Sequence, residues 1–137
     1  MFIDSAGISG AVGSRLRQLG HSNVIEINFG ADSPDPKYRN MRAYMWGKCK
    51  DWLLTGAIDS DPRLECDLIG PGYELDSKVR IQLESKDEMK KRGVDSPDDA
   101  DALALTFAQT VAVPRPQPKP QLVYSFPGQD SLRWMMQ

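Results

Sequence analysis

The sequence predicts an α/β fold, a mixed sheet flanked by helices, and three observations carry that reading. Residues 1–4 read as the end of an apolar strand. It runs through Ser5-Ala6-Gly7-Ile8-Ser9-Gly10 into a helix and returns as Val24-Ile25-Glu26-Ile27-Asn28-Phe29, where apolar and polar residues alternate. Tyr38, Met41, Met45, Cys49, Trp52 and Leu53 recur at helical spacing. Residues 73–75 and 79–83 alternate around Asp76-Ser77-Lys78, the pattern of two strands joined by a turn.

Each element has its own local cause. The opening strand, a helix over 11–19 and the strand over 24–29 make a β-α-β unit, a connection that sets its strands parallel with the helix on one face. That helix stops at Leu19-Gly20-His21-Ser22-Asn23, which makes the lone His21 a surface turn residue. The amphipathic helix that follows spans 38–53 and ends near Gly56, its Met and Trp residues belonging to the core. Asp61-Pro62 opens a shorter helix to about Leu68, broken by Gly70-Pro71-Gly72. A charged helix over 84–92 is closed by Gly93. Ser96-Pro97-Asp98-Asp99 then starts the last helix, with Ser96 as N-cap, and from 100 to 111 it is apolar almost all round and should lie against the sheet. Alternating prolines at 114, 116, 118 and 120 predict an extended linker, and 122–137 an apolar tail, so the domain is bounded at 1–113 and the tail at 114–137.

The composition limits what such a domain does. Its 137 residues support one modest core. With 17 Lys and Arg against 19 Asp and Glu, the net charge of −2 supplies no global basic field, so any nucleic-acid contact has to be local. Cys49 and Cys66 are isolated, which excludes a cysteine-based zinc site. Together with the lack of a secretory segment or a long apolar run, they point to a cytoplasmic chain without a membrane span.

Three carboxylates stand out. Asp98 and Asp101 are one helical turn apart and project from one face at a helix N-terminus, where paired acids hold a hard divalent cation. Capping alone accounts for Asp98 and Asp99, but Asp101 falls in the second turn of the expected helix, among alanines and leucines. Asp4 ends an apolar strand, the edge at which open α/β folds place their sites. On its own it reads first as a cap for the next helix or a partner for a loop N–H; with the acidic pair it becomes the third corner of a metal site. Lys86, Lys90, Lys91 and Arg92 offer phosphate contacts or a solvated helix face. Gly7, Gly10 and Gly13 raise a dinucleotide-binding reading, which their spacing and the neighbouring Asp4 oppose.

Several separated motifs, in order and spacing, resemble the later part of the nuclease domain of phage terminase large subunits. They are Phe2-Ile3-Asp4-Ser5-Ala6-Gly7, Glu26-Ile27-Asn28-Phe29-Gly30, Tyr38-Arg39-Asn40-Met41-Arg42-Ala43 with Trp46, Leu83-Glu84-Ser85-Lys86-Asp87, and Ser96-Pro97-Asp98-Asp99-Ala100-Asp101-Ala102-Leu103. The resemblance covers about residues 1–111 and is most specific in the last segment. It implies a partial RNase H-like fold lacking the first strands, and a hydrolase of the Mg2+- or Mn2+-dependent endonuclease kind that cuts double-stranded DNA during phage or prophage genome packaging. It further implies Asp4, Asp98 and Asp101 as catalytic and metal-binding residues, and portal or small terminase proteins as partners. The first-strand acid of the family has no counterpart here and neither does its ATPase motor, since no Gly-x-x-x-x-Gly-Lys-Ser/Thr loop occurs. The expectation is therefore weak metal binding and weak or absent activity in the isolated chain. The rival expectation is a non-catalytic interaction module, and either form should be a homo-oligomer.

Overall fold

The computed structural model describes residues 1–5 and 9–111; the proline-rich linker and apolar tail lie outside the described residues. The order is β1 (Phe2–Asp4), α1 (Ser9–Gln18), β2 (Ile25–Ile27), α2 (Met41–Leu53), α3 (Pro62–Ile69), β3 (Tyr73–Leu75), β4 (Ile81–Leu83), α4 (Lys86–Lys91) and α5 (Asp98–Leu105). The fold is mixed α/β. Its strands form a parallel pair and an antiparallel pair in place of one continuous sheet.

β1 and β2 pair in parallel, Phe2 opposite Ile25 and Asp4 opposite Ile27, with α1 packed on both. β2 is shorter than its alternation suggests because the Asn28 side chain accepts the Gly30 N–H at 2.8 Å and turns the chain. From that turn the chain runs into α2: the Phe29 and Ala31 carbonyls accept the Arg42 and Met41 N–H groups. α2 begins at Met41, three residues later than its apolar periodicity begins, because Asn40 caps it by accepting the Ala43 N–H. Tyr38, left outside the helix, bridges to Ile81, and its ring lies where a Cβ at position 47 would stand, so Gly47 lets it pack down.

β3 and β4 form the expected antiparallel hairpin. Its turn is longer than predicted, since the Asp76 carboxylate accepts the Lys78 and Arg80 N–H groups, each at 2.9 Å, and places Val79 at φ 60° before β4 starts. α4 carries a full capping box, Ser85 and Glu88 satisfying each other's backbone N–H. Gly93, at φ 77°, closes the turn after it.

The last helix departs from the sequence reading in three ways. Its N-cap is Pro97, with no side-chain cap; the Ser96 hydroxyl donates instead to Asp98 Oδ1 at 2.6 Å, and the Asp99 N–H is taken by Asp67 of α3 at 2.9 Å. Asp101 consequently falls in the first turn. The helix ends at Leu105, short of the predicted 111, where the Thr106 hydroxyl donates to the Leu103 carbonyl and Phe107 turns onto Trp52, ring centroids 5.6 Å apart. It also packs chiefly on α2 and α3, and less on the strands, mainly through β1. The core lies at that junction: Ile27, Met45, Cys49, Ala104 and Ala108, flanked by Phe2, Phe29 and Leu53. The two alanines let α5 approach α2 closely around Met45, which is fully buried.

Candidate functional site

The N-terminal end of α5 meets α2 and the start of α4 in a charged cluster. Asp101 is 5% exposed, as its place among alanines implied, and every neighbour it is seen to hold brings a positive or donating group. From α2, one turn apart, Arg42 Nε and Trp46 Nε1 donate to Asp101 Oδ1 at 3.0 and 2.8 Å. Asp101 Oδ2 pairs with the Lys86 ammonium, Nζ at 3.1 Å.

Lys86 is the first residue of α4, placed by the Ser85 cap. Its ammonium also donates to Asp98 Oδ1 at 2.9 Å, so one cation sits between the two acids of the pair. Partial burial acts to lower the Lys86 pKa, but the hydrogen bonds and charges of Asp98 and Asp101 outweigh it and raise it above the usual lysine value. The Ser96 hydroxyl and Lys86 hold the Asp98 carboxyl below its ordinary value.

Behind this cluster stands a second clamp. The Glu84 carboxylate takes Arg92 Nε at 2.8 Å, Arg92 Nη2 and the Gly72 N–H, while its own carbonyl accepts Arg42 Nη1 at 3.0 Å. Arg42 thus ties the end of β4 to α5, and its Nη2 is buried without a partner. Asp99 faces away from the pair, toward Arg63 of α3 at 2.8 Å.

Of the acids read from the sequence, Asp98 and Asp101 come together across Lys86, and Asp4 ends β1, the strand on which α5 packs. Among the described residues no three His, Cys, Asp or Glu side chains form a group able to hold a metal ion. Arg42 and Trp46 entered the sequence reading only as part of a motif, and Lys86 only as a phosphate contact. A signal for Arg42 was present: it is a lone cation on the apolar stripe of α2, and Asp101 is an anion set among alanines and leucines.

No protein-family model matches the chain, and no curated protein matches it. Solved structures do. The nuclease domain of the large terminase subunit gp2 of bacterial virus Sf6 superimposes with a TM-score of 0.62 at 18% identity over 81% of this chain. Lysine-to-alanine variants of that subunit, solved with calcium and with manganese, give TM-scores of 0.62 and 0.60 at 17% and 18% identity over 80% of this chain. The chain spans less than two thirds of those domains, 64–65% of their length. Its fold is terminase nuclease-like. No helix among the described residues is long and apolar enough to cross a membrane.

Proposed function

We propose that this chain is part of an RNase H-like, terminase-type nuclease that acts on double-stranded DNA with Mg2+ or Mn2+. The observation that supports it most is the seat between Asp98 and Asp101, where a buried carboxylate oxygen and a second, exposed carboxylate already share a cation, the Lys86 ammonium. Two anionic oxygens of this kind suit a hard divalent ion. Asp98 and Asp101 would hold it, and Asp4, at the end of β1, is the third acid assigned to the set. When bound, such an ion supplies activation of water and stabilisation of the leaving oxygen. The chain's own residues do the rest. Lys86 keeps the two acids close while no metal is there, and its exposed position at the α4 start lets it turn to a phosphate once displaced.

This reading makes binding weak. An incoming ion has to displace an ammonium, and three acids do not stand preassembled around it. Titration calorimetry with Mn2+ is expected to show weak binding that Asp98→Ala removes, and supercoiled plasmid is expected to be nicked slowly or not at all by the pure protein. Absence of Mn2+ binding even at high concentration, or measurable Mn2+-dependent nicking that Asp98→Ala leaves unchanged, would overturn the proposal. Rapid Mn2+-dependent nicking lost in Asp98→Ala would show the site sufficient as it stands.

A further inference from the structure

Arg42 and Trp46 touch neither solvent-side acid nor any group that would meet a phosphate, yet both aim at a single oxygen of Asp101. An arginine beside a carboxylate commonly engages both oxygens with its fork. Here the fork is turned away: Nε serves Oδ1, Nη1 is drawn to the Glu84 carbonyl at 3.0 Å, and Nη2 meets nothing. The Trp46 indole, a pure donor, adds its N–H to the same Oδ1 at 2.8 Å, with the Arg42 guanidinium 5.9 Å above its ring. Oδ1 is therefore filled by two donors, and the buried Oδ2 is left to a cation, the Lys86 ammonium at 3.1 Å.

We propose that Arg42 and Trp46 are positioning residues that fix the Asp101 carboxylate so that Oδ2 alone is presented to a cation. This rests on the metal-binding reading above and adds to it a selectivity. A carboxylate with one oxygen already saturated binds an ion through the other only. One-oxygen ligation suits small octahedral ions such as Mg2+ and Mn2+, whereas Ca2+ readily takes both oxygens of a carboxylate. Neither residue takes part in proton transfer, because a guanidinium does not lose its proton and an indole N–H only donates. Both act through Asp101.

Trp46→Phe is the cleanest probe, since it keeps an aromatic ring at the position and removes one N–H. Calorimetric titration of the full chain with Mn2+ and with Ca2+ is expected to show Mn2+ affinity about tenfold weaker in this variant, the scale typical of lost outer-shell partners. Ca2+ affinity should fall less, narrowing the preference for Mn2+. Asp98→Asn, which loses a direct ligand, is the control and should weaken Mn2+ binding without help from Trp46. If Asp98→Asn weakens Mn2+ binding and Trp46→Phe leaves both ions within twofold of the unmodified chain, or weakens both by one factor, the positioning role is refuted and the functional reading stands. If the unmodified chain binds neither ion, both fall together. The Trp46 indole N–H resonance gives a metal-free check: it should shift in Asp101→Asn, and an unmoved resonance would also refute the contact.

Discussion

Asp98 and Asp101 sit one turn apart on one helix, yet they live under different physics. The Asp101 side chain is 7% exposed and ion-paired to Arg42, itself 11% exposed, so removing its charge leaves a buried guanidinium uncompensated. The Asp98 side chain is 66% exposed and shares its charge with a solvent-facing lysine, where an ion pair contributes little. Urea denaturation should separate them: Asp101→Asn is expected to lose about 3–5 kcal/mol and Asp98→Asn no more than about 1 kcal/mol. Equal losses would mean that the Arg42 pair is not formed as described. The asymmetry also governs how activity data are to be read, since a dead Asp101 variant confounds chemistry with folding and Asp98 does not. Cys49 shows the same principle without a partner: burial pushes its thiol pKa up and leaves it an inert core residue.

Between elements, charge clamps do what the small sheets do not. Glu84, just past β4, is held by Arg92 at the end of α4, and Arg92 Nη2 also reaches the Gly70 carbonyl at the end of α3 at 2.6 Å. Arg92 and the Gly72 N–H hold the Glu84 carboxyl at about 2, down from 4.5. A depressed carboxyl favours the folded state above its ordinary value, and that contribution is lost as the pH falls through the folded value. The urea midpoint should therefore drop between about pH 4.5 and about pH 2, with Glu84→Gln flattening part of the curve. Asp76, held at about 2 by Arg80, adds to the acid sensitivity, as do Asp98 and Glu88, whose carboxyls are also held low. A Glu84→Gln profile parallel to the unmodified one would show the clamp open in solution. What was legible in the sequence at this scale was local: Asp61-Pro62 opening α3, Gly93 closing the turn after α4 and the β3–β4 alternation each follow from residues close together in the chain. What was not legible depended on partners far along the chain. Asp67 replaces Ser96 at the start of α5, and Arg42 chooses Asp101 across 59 residues, contacts that exist only once α2, α3 and α5 have packed. The acidic pair itself was readable, because a buried acid in an alanine-rich helix is costly unless something answers it; what answers it was not.

For the molecule as a whole, the sheets are too small to close their own surfaces. β1 pairs with β2 on one edge only among the described residues, and β3–β4 is a two-stranded hairpin supported on β4 by the Tyr38 bridge to Ile81 and by α2. Large apolar side chains are exposed around that hairpin: Ile69 at 83%, Tyr73 at 73%, Leu75 at 58% and Val79 at 74%. Isolated exposed apolar residues are ordinary, but several at one hairpin beside the end of α3 favour burial against another chain. A strand with a partner on one side among the described residues acts in the same direction, since the edge of a small sheet can take a further strand. The sequence adds Leu122, Tyr124, Phe126 and Trp134 beyond the prolines, residues outside the described part of the chain. The expected outcome is a homodimer or larger assembly at micromolar concentration, measured by light scattering on a sizing column. Tyr73→Lys with Leu75→Lys should lower the mass if the hairpin is the contact, and truncation after Val113 should lower it if the apolar tail is. Assembly through the β1 edge would survive both and yield instead to a proline at Ile3, which removes a strand N–H and leaves the hairpin untouched. A clean monomer whose mass and solubility none of these changes alters would remove the argument for self-association.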